Sequence, residues 1–471
     1  MTKSNAETVL AAAAAHAASF RKRMDQLPQH ALRSHGEMVD MFKAPLPVHG
    51  EDSHTVIDEL VSKAEQGLQL MAGKRFFAWV MGSSHPAGVA ADWLTSAWGQ
   101  NAGNHIAAPA AAAVETIAAD WLLQLLGLPR QSSVGFVTGA TVANFTCLAA
   151  ARGEVLRQAG WDADAQGLFG APPITVMIGD DAHATVFSAL QFLGLGHNRV
   201  VRVAADDQGR IITAAFKDAV EKVSGPLIVI LQAGQINTGC FDPFAEIIPL
   251  AKAKGGWVHV DGAFGLWANA APSRRALCGG IELADSWATD GHKWLQAPYD
   301  SGFAIVRDEL AHRRAMSIAA SYLPLTGDGE RDPSHYVPEL SRRARGFAVW
   351  AIIKSLGQTG VAEMVERNCR VAALVSNIFS QEAGVRVEND VVLNQAIIRF
   401  GADEAAELGD KITAATIALT QKEGTCFVGG AKWRGRLVMR FSVSGGDTTE
   451  DDGSRAAAAI IECYRKARLD K

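Results

Sequence analysis

Short apolar runs rich in valine and isoleucine punctuate the middle of the chain, at 134–137, 174–178, 199–203, 227–231, 257–260 and 302–306. Runs of this length, closed by small or polar residues, predict buried strands. Between them lie longer segments with apolar residues at helical spacing. These predict helices from the turn at Thr138 through Arg152, from Asp181 to Leu193, over 213–223 and over 243–254. Strand and helix in alternation predict an α/β fold with a mostly parallel central sheet. In such sheets ligands bind beyond the carboxyl ends of the strands, and His183, Asp261 and Lys293 each fall at such an end.

The flanks read differently. Residues 1–75 are alanine-rich and helical in pattern, with a break at 43–47 and no strand signal. They predict an N-terminal helical arm with little core of its own, which should pack on a second subunit. Residues 109–126 predict a helix with Trp121, Leu122 and Leu125 on one face, closed by Gly127 and Pro129. From residue 346 a long helical stretch (347–381) leads to an apolar segment at 391–400, a further helix, strands at 425–428 and 437–443, and a last helix. The acidic start of that last helix and its basic end at Arg465, Lys466 and Arg468 suit the helix dipole. The expected organisation is the arm (1–75), a large domain (76–345) and a small α+β C-terminal domain (346–471).

Charge and cysteine usage narrow the partners. The 471 residues carry a formal charge of -5 and no basic stripe, which excludes nucleic acid and an anionic membrane surface as expected partners and leaves a small molecule. The six cysteines are scattered without zinc-like spacing, so no metal is expected and the chain reads as reduced and cytoplasmic. The alanine-rich stretch 9–18 precedes its basic cluster Arg21, Lys22 and Arg23, the wrong order for a signal peptide. The apolar run 106–128 is broken by Pro109, Glu115 and Asp120 and is too polar to span a membrane.

Against this background a few residues carry chemistry. Lys293 lies on a short loop between two strand-like segments, and partial burial beside a second cationic group, His292, would lower its pKa in the way Schiff-base lysines need. Gly139, Ala140 and Thr141 open a helix with free N–H groups, a hydroxyl and a positive dipole end, which suits a phosphate. Asp261 ends a strand and would be costly to bury unless it met a cation such as a protonated pyridine nitrogen. Phosphate turn, aromatic histidine (His183), acidic strand end with a small residue two later, then His-Lys is the equipment of a pyridoxal-phosphate enzyme.

The chain resembles the group II pyridoxal-phosphate-dependent amino-acid decarboxylases, the family of aromatic-amino-acid and glutamate decarboxylases. The matching segments run through nearly the whole chain: 75–79, 109–122 with Glu115 and Trp121, 138–144, 181–186, 239–243, 259–263, 289–295, 341–345 with Trp350, and 435–441. The resemblance implies an aspartate-aminotransferase-like fold (fold type I) and a homodimer with active sites near the interface. It implies that Ala140 and Thr141 bind the phosphate, His183 stacks on the ring, Asp261 pairs with the ring nitrogen, Ala263 lies against the other face and Lys293 carries the cofactor. Asp290 and His292 fall where the family places phosphate or ring contacts, although aromatic-amino-acid decarboxylases have asparagine in place of Asp290, and an anion there would repel phosphate unless it faced away. Asn237 is a further contact by the same analogy, in a turn (235–238) that departs from the family's threonine-rich version.

The implied activity is decarboxylation of an L-amino acid to its amine through a Schiff base on Lys293. A carbon–carbon lyase resembling sphingosine-phosphate lyase and an aldehyde-forming relative are the nearest rivals, and a non-enzymatic scaffold is disfavoured by Lys293. Residues 324–338 contain three prolines and little apolar periodicity, which predicts a surface loop. By resemblance this loop is a lid carrying a catalytic acid, with Tyr336 as first candidate and His335 as second.

Overall fold

The computed structural model of the chain describes residues 6–317 and 330–469. Seven strands form the large sheet: β1 (Ser133–Val137), β2 (Thr175–Gly179), β3 (Val201–Val203), β4 (Leu227–Gln232), β5 (Trp257–Asp261), β6 (Ser286–Asp290) and β7 (Gly302–Val306), in the order β1-β7-β6-β5-β4-β2-β3. The run from β6 to β3 is parallel, and β7 is antiparallel to both its neighbours. The predicted mostly parallel sheet is therefore present, as fold type I requires. β4 explains why it reads as a continuous apolar run. Leu227, Val229 and Leu231 join the core on one face, while Ile228 and Ile230 join the core on the other.

Register brings the chemistry to one edge. Val137 pairs with Gly302, Gly302 with Asp290, Asp261 with Ala288 and with Gln232. The turn after β1, the end of β5 and the end of β6 thus share the carboxyl edge of the sheet. The helix Ala140–Gln158 starts at that edge, with Gly139 before it. A Cβ on Gly139 would lie 3.0 Å from the His292 ring and 3.2 Å from the Asp290 carboxylate, and one on Gly302 would collide with Gly139 itself. Both positions need glycine because two loops and a strand converge there.

The second sheet holds β8 (Val385–Val387), β9 (Gln395–Phe400), β10 (Gly429–Trp433) and β11 (Arg436–Ser442), all antiparallel, in the order β10-β11-β9-β8. Two details differ from expectation. The strand expected at 425–428 lies at β10 instead, where two glycines weaken the strand signal and Arg434 and Gly435, both with positive φ, turn the hairpin. β8 is a three-residue strand, too short to signal itself. The long helix Gly346–Ser380 is interrupted by non-helical backbone at Gly357.

The helices Ala6–Arg23, His35–Phe42 and Ser53–Ala64 contain no buried residue. No helix is long and apolar enough to cross a membrane, among the described residues.

The expected loop 324–338 is only partly a loop. Its first part, to residue 329, lies outside the described residues. From Pro333 to Tyr336 the chain forms a short 3-10 helix in which Pro333 and Tyr336 are buried. This return segment is held by charge. Glu115 on the helix Pro109–Leu125 pairs with Arg342 at 2.7 Å, both buried, and Arg342 also donates to the carbonyls of Ala102 and Phe136.

Candidate active site

A cavity of about 340 Å³ opens at the carboxyl edge of the large sheet, lined among others by Ala140, Thr141, His183, Asp261, Ala263, Asp290, His292 and Lys293. Eight of the sequence-predicted residues therefore converge on one space. The loop that carries Lys293 is fixed by its neighbours. Gly82 passes so close that a Cβ there would strike the carbonyls of His292 and Lys293. Gln296, buried and with φ of 62°, donates to the carbonyls of Lys293, Trp294 and Ser444 and accepts from the Ser83 N–H at 2.9 Å.

The cation nearest in sequence to Lys293 does not act alone on it. Lys293 Nζ forms an ion pair with Asp290 Oδ2 at 2.8 Å. Asp290 Oδ1 accepts the N–H of Ala140 at 2.5 Å and lies 3.4 Å from His292 Nε2. Burial pushes the His292 imidazole below its ordinary pKa, partly offset by Asp290. The exposed ring of Tyr299 stacks on His292 with centroids 4.2 Å apart.

Asp261 is buried at the end of β5, and burial raises its carboxyl pKa, opposed first by His183 and then by Lys293. Its carboxylate accepts one N–H, from Ala263 at 3.2 Å, and forms no salt bridge among the described residues. His183 caps the helix Ala184–Phe192, its Nδ1 accepting the Thr185 N–H at 3.3 Å. That bond leaves the ring proton on Nε2. Burial is the main reason the His183 pKa is lowered.

Three candidate residues lie elsewhere. Asn237 does not line the cavity; the turn turns Ile236 toward it instead, while the Asn237 N–H is tied back to Gln235 Oε1 at 2.6 Å. Tyr336 is displaced further. Its hydroxyl donates to Glu309 and its carbonyl meets His312 Nε2 at 2.9 Å, both on the helix Glu309–Met316, and the same carbonyl packs against Gly135 of β1. His335 neighbours Asp332 and is likewise not part of the cavity lining.

One functional candidate escaped the sequence. Arg440 on β11 is largely buried, with a pKa pushed down to about 10 by burial. Its guanidinium makes one hydrogen bond among the described residues, to the carbonyl of the lining residue Ile236 at 3.4 Å, and forms no salt bridge there; Arg440 itself stands behind the lining, close enough for its charge to act on His183. It sits in a strand whose alternation reads as ordinary sheet, so only the fold brings it to the site.

The donor set fits pyridoxal 5′-phosphate. An unpaired buried carboxylate suits a cationic ring nitrogen, small Ala263 leaves room for a flat ring, helix N–H groups suit a phosphate, and one lysine suits an aldehyde. Among the described residues no group of three or more His, Cys, Asp or Glu is placed to hold a metal.

Residues 36–398 match the family model described as the pyridoxal-dependent decarboxylase conserved domain. The chain is 27% identical over 416 residues to the aromatic-L-amino-acid decarboxylase of Bacillus atrophaeus, covering 86% of this chain and 84% of that protein. It is 24% identical over 463 residues to the phenylacetaldehyde synthase of Arabidopsis thaliana, covering 94% and 92%. Its fold matches the crystal structure of Oryza sativa TDC with PLP and tryptamine at a TM-score of 0.91, with 22% identity and 99% of each chain covered.

Proposed function

Because the chain belongs to the pyridoxal-dependent decarboxylase family, whose members are lyases that use pyridoxal 5′-phosphate, we propose that it converts an L-amino acid to its amine and carbon dioxide, with Lys293 as the point of attachment of the cofactor. The observation that carries this reading is the convergence of Lys293 and the unpaired, buried Asp261 on one cavity. The cofactor, when bound, supplies an electron sink. The chain's residues do the rest. Asp261 keeps a positive charge opposite its carboxylate, so the sink stays electron-poor. His183 and Ala263 define the two sides of a flat slot. Arg440, buried without a carboxylate partner, suits the substrate's carboxylate, and with His183 Nε2–H it orients the bond to be broken. When that bond breaks, the electron pair remains on the substrate's α-carbon, carbon dioxide leaves, and a proton returns to that carbon. Lys293 Nζ lies in the same cavity and would be placed to deliver it.

Aromatic amino acids are the first class to test, because the relative from Bacillus atrophaeus is named for them. In support, Trp79 is half exposed, has φ of 57°, and stands beside Phe427 and over Gly429, the strand partner of Arg440. The unburied helices of the N-terminal arm, and Leu46 and Val48 at 92% and 90% exposure, support packing against a second copy of the chain.

The test is a panel of aromatic, acidic and basic L-amino acids assayed for carbon dioxide, amine, aldehyde and hydrogen peroxide, with Lys293→Ala as control. Amine and carbon dioxide in equal amounts from the wild type, and neither from the variant, are expected. Aldehyde with peroxide in place of amine would assign the chain to the aldehyde-forming branch that phenylacetaldehyde synthase represents.

A further inference from the structure

The carboxylate of Asp290 stands where a phosphate would need the same donors. Its Oδ1 takes the N–H of Ala140, the first residue of the helix Ala140–Gln158, at 2.5 Å. His292 Nε2 is 3.4 Å from the same oxygen, and Lys293 Nζ holds Oδ2 at 2.8 Å. Asp290 is 2% exposed, so solvent does little to screen it. Its backbone is fixed at the end of β6, where the N–H of Asp290 is bonded to the Ala263 carbonyl and its carbonyl receives the indole N–H of Trp267, so the carboxylate can leave only by side-chain rotation. An asparagine in the same place would offer an N–H to an incoming anion; an aspartate cannot.

We infer that Asp290 is an internal competitor of the cofactor's phosphate group, occupying the N–H of Ala140 and pairing Lys293 until cofactor entry displaces it from both. The inference rests on reading the turn 138–141 as the phosphate site. Two like charges in one buried pocket oppose each other far more strongly than in water. The carboxylate must therefore swing off the helix start as the phosphate arrives. Were the cofactor attached to Lys293, the His292 imidazole would remain within 3.4 Å of Asp290 as a hydrogen-bonding neighbour. Phosphate affinity is thereby set below what the helix start would otherwise provide.

The probe is pyridoxine 5′-phosphate, which carries the phosphate and ring but no aldehyde, so its binding does not read the chemistry of Lys293. Pyridoxine, without the phosphate, is the control. Binding of each to the full-length protein, freed of cofactor with hydroxylamine, is measured by calorimetry for the wild type and Asp290→Asn. The expected result is that the variant binds pyridoxine 5′-phosphate about tenfold or more tightly than the wild type, with pyridoxine unchanged, as removal of one of two close like charges demands. If the variant folds poorly, Asp290→Ser, neutral and shorter, is measured in the same way. Equal or weaker binding of the phosphorylated probe by the neutral variants, with the phosphate still preferred over its absence, would overturn the competition. No preference for the phosphorylated probe in any of the proteins would overturn the phosphate-site reading itself.

Discussion

Tyr336 donates its hydroxyl to Glu309 at 2.5 Å, while its carbonyl packs against Gly135 in the middle of β1. Arg331 lies over the Tyr336 ring at 4.5 Å, and His312 meets it edge-on, so the ring is gripped on several sides.

A tyrosine so placed is structural within its own chain. Tyr336→Phe is expected to lower stability by about 1 kcal/mol, the worth of one hydrogen bond, and to leave turnover within about twofold. Thermal unfolding and steady-state amine formation measured on the same preparation check this. A variant that folds as well as the wild type yet makes aldehyde instead of amine would restore Tyr336 to the reaction.

The place of Tyr336 within its own chain also separates what was legible from what was not. β4 and β5 announce themselves because both faces are buried, and Lys293, Asp261 and the turn at Thr138 sit where strand ends must be. Their spacing along the chain translates directly into one sheet edge. A proline-rich segment carries no such periodicity, and what decides its place is the long-range bond of Arg342 to Glu115, which local pattern does not encode. Asn237 and Ile236 differ by one position in a tight turn, and the turn's geometry, set by the Gln235 side chain accepting the N–H groups of Asn237 and Thr238, chooses between them. Arg440 was invisible for a third reason. Its importance lies in the absence of a carboxylate partner among the described residues, which only a folded structure reveals.

Asp261→Asn keeps the shape of the β5 terminus and removes its charge. The Ala263 N–H retains an acceptor, so the fold should survive. What changes is the partner offered to a ring nitrogen. Loss of one member of a buried charge pair is worth roughly 3–5 kcal/mol, which corresponds to about two powers of ten or more in rate. The deficit is expected in kcat, with substrate KM moved far less, because the charge matters most when electrons flow toward the ring. Full turnover by the asparagine variant would remove Asp261 from the chemistry.

Acid sensitivity follows from two histidines outside the cavity. His259 on β5 is fully enclosed, bonded to Asn144 Oδ1 at 2.8 Å and Ser286 Oγ at 2.9 Å, and burial pushes its pKa down to about 3. His312 bonds Ser133 Oγ at 2.8 Å and the Tyr336 carbonyl at 2.9 Å, and burial pushes its pKa down to about 3 as well. Both rings are neutral in the folded chain, whereas in the unfolded chain a histidine titrates near 6.5. The folded pKa is depressed, so the stabilisation is complete above about pH 6.5 and drains away as the pH falls toward 3. At pH 5 the difference is about 1.5 units, or about 2 kcal/mol for each ring relative to pH 7. Urea unfolding of the wild type at fixed protein concentration should therefore show midpoints that fall steadily from pH 7 to 5. His312→Gln has no titrating group to charge; it is expected to start less stable at pH 7 and to lose less on acidification than the wild type. An acid slope in the variant as steep as that of the wild type would show that other groups control the loss.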